Sequence, residues 1–165
     1  MRRSIKGISM CRYPIDFAGA VSSLEIVQLL VDRGARLDIS YPLHAAAAAV
    51  GRSEEDQGER VKVIEFLLAK GMDINRIEFA GEEDFANQYW SRPYGTPLHY
   101  AASWGRPKVV KCLLDNGADR DIHAVCHKRK TDYGTALDWQ KSNEPDEGMY
   151  NRRVLVLLEG NKDKL

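Results

Sequence analysis

The chain has 165 residues, which suffices for one ordinary domain or one short stack of repeats and leaves little room for two independent domains. Its 24 lysines plus arginines balance 24 aspartates plus glutamates, so no net field draws the whole chain onto nucleic acid or an anionic membrane. No apolar run reaches the roughly 18 residues of a membrane-spanning helix.

Residues 1–11 form an N-terminal extension. They start with basic residues but lack the apolar stretch that follows in a signal peptide. The three cysteines of the chain, Cys11, Cys112 and Cys126, have unrelated spacings, which predicts free thiols rather than a disulfide framework. We therefore expect a protein of the cytoplasm or the nucleus.

The sequence pattern over residues 12–40 predicts a first pair of helices. Pro14 can occupy the first turn of a helix, where its missing N–H costs nothing. Gly34 follows an apolar run twenty residues later, where a left-handed residue ends a helix. Between them the stripe Leu24, Val27 and Leu30 has the three-to-four spacing of one buried helical face.

A second pair is predicted over residues 41–75, from Pro42 to Gly71. The separation here is twenty-nine residues instead of twenty. The nine extra residues fall in the polar stretch RSEEDQGER, so we expect an inserted polar loop over residues 51–60. The apolar stripe resumes after it with Val61, Ile64 and Leu67.

Residues 76–94 form a second insert, which is rich in aromatic residues and acidic at its centre. It contains Phe79, Phe85, Tyr89, Trp90 and Tyr94. We expect this aromatic content to contribute to binding. The alternative is that this insert and the next one pair with each other or lie solvated.

Residues 95–122 carry the clearest copy of the pattern. Their sequence, GTPLHYAASWGRPKVVKCLLDNGADRDI, again separates Pro97 from Gly117 by twenty residues. The apolar stripe of its second helix includes Cys112, which we expect to be buried and slow to alkylate. This segment resembles the ankyrin repeat, because it contains the TPLHxA motif from Thr96 to Ala101 and the terminal GAD from Gly117 to Asp119.

A third insert spans residues 123–133 and is basic through Lys128, Arg129 and Lys130, a patch that we expect to be a solvated loop. A zinc site at His123, Cys126 and His127 would need a fourth ligand from elsewhere. We instead expect Cys126 to be a loop thiol that reacts quickly. Residues 134–160 hold a weaker fourth pair, from Ala136 to Gly160, and residues 161–165 form a C-terminal tail.

The resemblance covers about residues 12–160. It implies an all-α fold, an ankyrin-repeat solenoid of about four helix-turn-helix repeats joined by irregular β-hairpin or loop fingers. It also implies that His44 and His99, in the TPLH position, tie a helix to the neighbouring finger by hydrogen bonds. The YPLHAAA stretch and the uneven inserts resemble fungal-type ankyrin proteins, some of which are encoded beside biosynthetic genes.

The chain contains no phosphate-binding, dinucleotide-binding, esterase or zinc-protease motif, so we predict no catalytic site, metal site or cofactor. The resemblance implies a monomer whose partner is another protein, rather than nucleic acid or a membrane. The partner would lie along the groove and the extended fingers. The predicted contact residues are Ser103, Trp104, Phe85, Tyr89, Trp90 and Asn116.

Two alternatives stay open at this point. Trp104 could pack beneath the second insert instead of facing a partner. The chain could also be a truncated fragment of a larger multidomain regulatory or receptor protein, or an accessory protein of a biosynthetic gene cluster.

Overall fold

The computed structural model describes residues 12–49, 51, 53–82, 93–126, 131–143 and 150–160. These residues form two compact units, one up to Met72 and one from Asp73 onward. The first unit contains α1 (Pro14–Val21), α2 (Leu24–Asp32), α3 (Pro42–Ala48) and α4 (Glu54–Ala69). The second contains α5 (Pro97–Ser103), α6 (Pro107–Asp115), β1 (Val125–Cys126), β2 (Thr131–Asp132), α7 (Ala136–Lys141) and α8 (Arg152–Glu159).

The predicted all-α fold of helix pairs is confirmed. None of the described helices combines the length and apolar content that crossing a bilayer requires. The predicted stop signals are also confirmed, because the glycines after α2, α4, α6 and α8 have φ between 74° and 88°. These residues are Gly34, Gly71, Gly117 and Gly160.

In the first unit α3 packs on α1, and α4 packs on both α2 and α3. The α1–α3 contact is close because α1 has a glycine where it faces α3. A Cβ atom added at Gly19 would lie 2.6 Å from the carbonyl oxygen of Pro42. The fully buried apolar side chains of this unit include Val27, Leu43, Ala46, Ala47, Val63, Ile64 and Leu67.

The prediction of a polar loop over residues 51–60 is wrong for most of that stretch. The insert lengthens α4 at its N-terminus, so that α4 runs for 16 residues from Glu54. Ser53 caps this helix, since its hydroxyl oxygen accepts a hydrogen bond from the Asp56 N–H at 2.9 Å. The carboxylate of Asp56 accepts the Ser53 N–H at 3.2 Å in return, which completes a capping box.

The added turns of α4 hold the connection between α1 and α2. Arg60 is buried and donates to the backbone carbonyl of Gly19 at 2.5 Å and to that of Ser22. The neighbouring Glu59 accepts the N–H of Leu24, the first residue of α2, at 3.0 Å. The insert therefore satisfies carbonyls at the end of α1 and an amide at the start of α2.

In the second unit α5 packs on α6 and α7, and α8 packs on α6 and α7. Strands β1 and β2 form an antiparallel hairpin in which Val125 faces Asp132 and Cys126 faces Thr131. This hairpin belongs to the third insert, so the expected hairpin finger is present there.

The second and third inserts pair with each other at their bases. Tyr94 and Val125 form an antiparallel bridge, with N–H to carbonyl distances of 2.8 Å and 2.9 Å in the two directions. This bridge supports the alternative interpretation, that the inserts pair with each other, at Tyr94 and Val125.

Candidate protein-binding surface

Ser103 and Trp104 lie where α5 ends and turns toward α6. Trp104 is the C-cap residue of α5, and its N–H donates to the carbonyl of Tyr100 at 3.1 Å. Both side chains are half-buried rather than fully exposed. The predicted outward-facing tryptophan is thus partly packed against the protein and partly accessible.

The turn that carries Trp104 is fixed from two other helices. The side-chain amide of Asn143, just after α7, donates to the carbonyl of Ser103 at 2.9 Å. The side-chain amide of Asn151, the N-cap of α8, donates to the carbonyl of Gly105 at 3.1 Å. These bonds hold the backbone on both sides of Trp104.

Tyr150 is an exposed aromatic residue whose chain neighbour contacts this turn, and the sequence reasoning missed it. It directly precedes Asn151, which contacts Gly105, and it is 38% exposed. The only indication in the sequence was an aromatic residue at the end of the polar connection that leads into α8. We call Ser103, Trp104, Gly105 and Tyr150 the turn surface.

The C-terminal end of the second insert and Trp104 lie at opposite ends of α5. The chain enters α5 at its N-cap, Thr96, whereas Trp104 lies at the opposite end. A helix of seven residues separates the two points by about 10 Å. Phe85, Tyr89 and Trp90 themselves lie outside the described residues.

Two aromatic residues of the second insert belong to the core and not to an exposed binding surface. Phe79 and Tyr94 are both buried, and their rings meet edge to face with centroids 5.3 Å apart. Phe79 has φ of 58°, an unusual conformation for a bulky residue, and therefore relies on this surrounding packing. The adjacent Glu78 is also buried and accepts a hydrogen bond from the Tyr100 hydroxyl.

Asn116 lies at the far end of α6 from the turn surface. It is the C-cap of α6, and its side-chain amide donates to the carbonyl of Cys112 at 2.9 Å. The nine residues of α6 separate it from the turn surface by about 13 Å. The structure therefore gives Asn116 a capping role and does not bring it to Trp104.

The histidine in the clearest copy of the motif has the structural role that the resemblance implied. The Nδ1 atom of His99 lies 2.9 Å from the Thr96 hydroxyl, and its Nε2 atom lies 3.2 Å from the Gly134 carbonyl oxygen. Burial lowers the pKa of His99 to about 4, so the ring stays neutral at physiological pH. His44 is also buried, with its ring edge to face with that of Tyr41 at 5.4 Å.

The third insert differs from its predicted chemistry in one respect. Cys126 is only 1% exposed, so the prediction of a reactive loop thiol is wrong, because the residue lies in β1. The Nδ1 atom of His123 lies 2.7 Å from a carboxylate oxygen of Asp132 in an exposed pair. Over the described ranges no group of three or more histidine, cysteine or acidic side chains is placed to hold a metal ion, and His127 lies outside those ranges.

The chain is similar to known repeat proteins over most of its length. A family model described as "Ankyrin repeats (3 copies)" matches residues 18–125. The E3 ubiquitin-protein ligase hecd-1 of Caenorhabditis elegans is 30% identical over 142 residues, which are 86% of this chain and 4% of that protein.

Two further relatives match shorter stretches. The ankyrin repeat, SAM and basic leucine zipper domain-containing protein 1 of Dasypus novemcinctus is 27% identical over 106 residues, 64% of this chain and 20% of that protein. Rabankyrin-5 of Mus musculus is 35% identical over 77 residues, 47% of this chain and 6% of that protein. The chain thus spans at most a fifth of the length of these three relatives.

Proposed function

The chain belongs to the ankyrin-repeat family, and from that premise we propose that it is a non-catalytic module that binds another protein. Ankyrin repeats generally act as protein–protein interaction modules, and the matched repeats make up most of this chain. The name of the hecd-1 relative describes a ubiquitin ligase, but the match covers 4% of that protein and supports no ligase chemistry here.

The turn surface is the part of the described chain that we propose contacts the partner. The observation that carries this proposal is the half-buried Trp104 on a backbone held by Asn143 and Asn151. A large aromatic side chain fixed in advance loses little conformational entropy on binding, and such residues dominate interface energies. We include Tyr150 because it is 38% exposed and directly precedes Asn151, whose side chain bonds to Gly105.

We further propose that Phe85, Tyr89, Trp90 and Asn116 contribute to the partner interface. For the three aromatic residues the support is their number within one acidic insert whose base is anchored in the core. Asn116 is exposed at the end of α6, so that a partner lying along α6 would reach it. The fungal-type character of the repeats also remains a proposal, which rests on the YPLHAAA stretch and the uneven inserts.

The test begins with identifying the partner by pull-down and mass spectrometry and continues with the purified partner. Trp104→Ala should weaken binding by about 2 kcal/mol or more, because a central aromatic contact is lost. The free energy of unfolding should fall by only about 1 kcal/mol, since the side chain is only partly buried. Glu65→Ala, at an exposed position of α4 in the first unit, is the matched control and should change neither quantity.

A loss of about 3 to 5 kcal/mol of stability with unchanged binding by the folded protein would reject the role of Trp104.

The insert is tested separately, by replacing residues 83–92 with a short glycine linker. This change keeps Phe79 and Tyr94, which anchor the base of the insert, and should weaken binding without unfolding the second unit. Equal affinity of this variant and the intact chain would remove Phe85, Tyr89 and Trp90 from the proposal.

Among the described residues no observation favours the alternatives of a regulatory fragment or an accessory protein of a biosynthetic cluster.

A further inference from the structure

An apolar surface is exposed on the first two helices. Of the large apolar side chains that the described ranges leave exposed, four lie on α1 and α2, and each is between 46% and 57% exposed. They are Phe17, Val21, Ile26 and Leu29. We call them the end face. Large apolar side chains exposed together on two neighbouring helices are characteristic of an interaction site.

The repeat register identifies the end face as an uncovered stacking surface. Counted back from the glycine that ends each second helix, Ile26 of α2 is equivalent to Val63 of α4 and Val109 of α6. Both of these equivalents are fully buried. By the same count Leu29 is equivalent to Phe66 of α4, which is half-buried, and to Cys112 of α6, which is buried. On α2 the end face therefore occupies positions that the later repeats cover fully or in part.

A comparison of two helices of equal length supports this interpretation. Helices α2 and α6 each have nine residues with the same apolar pattern, but α6 buries four of its residues and α2 buries only Val27. The difference lies in what covers the helix, because the sequence of α2 is at least as apolar as that of α6.

Charges at the two ends of α2 favour one particular occupant. Glu25 lies in the first turn and Arg33 is the C-cap residue, and both are exposed. Each is four residues, or about 6 Å, from the central Leu29. If a second α2 lay antiparallel with a two-fold axis at Leu29, Glu25 would face the partner subunit's Arg33, and the reciprocal pair would form as well.

We propose that the end face is a homodimer interface, on which a second copy of this chain packs its own end face with the two α2 helices antiparallel. Such an isologous contact buries the apolar residues of both copies and pairs their charges, using the same surface on each copy. The interface consists of two short helices from each copy, so the dissociation constant should be on the order of micromolar or weaker. This proposal departs from the monomer expected from the sequence and is independent of the partner proposed for the turn surface.

The experiment is analytical ultracentrifugation of the intact chain from about 1 to about 1,000 μM, a range that also covers dissociation constants weaker than micromolar. The sedimentation coefficient should rise with concentration from that of a monomer to that of a dimer. Leu29→Glu should abolish this rise, because it places like charges at the two-fold axis. Glu25→Arg and Arg33→Glu should each raise the dissociation constant by about tenfold, since attraction becomes repulsion at two reciprocal sites.

The double variant Glu25→Arg, Arg33→Glu should restore dimerisation, because the opposite charges again face each other. The matched control exchanges the charges of Lys111 and Asp115, an exposed pair 2.5 Å apart on α6, and should leave the dimer unchanged.

Three outcomes would overturn the proposal. The first is a chain that stays monomeric at all concentrations. The second is a double charge variant that dimerises no better than the single variants, which would refute the antiparallel pairing. The third is a monomeric wild type whose free energy of unfolding falls sharply in Leu29→Glu, because residues of the same chain would then cover the end face.

Discussion

Replacing Arg60 tests whether the lengthened α4 holds the first two helices together. The guanidinium donates to the carbonyls of Gly19 and Ser22 from a side chain that is almost fully buried. A hydrogen bond from a charged donor contributes about 1.5 to 3 kcal/mol, so two such bonds contribute about 3 to 6 kcal/mol before desolvation is considered. Burial disfavours the charged form of Arg60 and lowers its pKa, which offsets part of this gain.

We therefore expect Arg60→Met to lower the free energy of unfolding by about 2 to 3 kcal/mol, because methionine keeps much of the aliphatic volume while both bonds are lost. Arg60→Ala should lower the free energy of unfolding by about 1 kcal/mol more than Arg60→Met, because it also leaves a cavity. The matched control is Lys62→Met, which removes an exposed charge from the same helix. Lys62 lies 3.1 Å from the Glu59 carboxylate, a surface pair that contributes less than about 0.5 kcal/mol.

The assay is urea unfolding of the three variants, combined with amide hydrogen exchange. Exchange should accelerate at the α1–α2 connection in Arg60→Met, including the Leu24 amide that bonds to Glu59. If Arg60→Met and Lys62→Met shifted the urea midpoint equally, or if exchange rose uniformly over the first unit, the bracing role of Arg60 would be refuted.

Three further predictions follow from single positions. Gly19→Ala should lower the free energy of unfolding by about 1 to 3 kcal/mol, because its Cβ would lie 2.6 Å from a backbone oxygen of α3. Gly58→Ala on α4 is the control, since a Cβ there meets nothing within 4 Å, and should raise that free energy by up to about 1 kcal/mol. Urea unfolding measures both changes. Cys112 and Cys126 should both react slowly with a thiol reagent until urea unfolds the chain, since both are buried. The pKa of His99 is about 4 when folded and 6.5 when exposed, so the unfolded chain binds the proton first as pH falls. The free energy of unfolding should therefore drop by about 3 kcal/mol between pH 6.5 and pH 4, and urea titrations of His99→Gln should lack that part of the loss.

The helix boundaries were predictable because they depend on local chemistry. A proline at the first turn and a left-handed glycine after the last turn act within a few residues of themselves, whatever packs around them. This is why Pro97 and Gly117 marked their helix pair correctly. Copies with weaker motifs, such as the one that starts at Ala136, still kept the capping threonine and the final glycine.

The insert over residues 51–60 was misread because its burial depends on distant residues. Its polar composition fits an exposed loop, and Gly58 is a poor helix former. The available signal was local: Ser53 followed by Asp56 matches a capping box, which predicts a helix start. What the sequence could not indicate is that Arg60 finds carbonyl acceptors about forty residues earlier in the chain, which makes its burial favourable.

The candidate site was only partly predictable for a similar reason. The family pattern selected Ser103 and Trp104 as contact residues, and the structure has both at the end of α5. It could not indicate that Asn143 and Asn151 fix that turn, because those contacts span forty and forty-six residues. The burial of Cys126 likewise depends on a hairpin and a bridge that no local pattern specifies.

An insert in a repeat stack can anchor itself to neighbouring elements or bind a partner, and the two inserts discussed here both show the first. The lengthened α4 and the base of the second insert both end in contacts with neighbouring elements, through Arg60 in one case and Phe79 and Tyr94 in the other. Aromatic residues in an insert are therefore not evidence of binding by themselves, because an insert must first be anchored to the stack. Partial exposure on a fixed backbone is the stronger criterion, and by that criterion the search for a partner should begin at Trp104 and Tyr150.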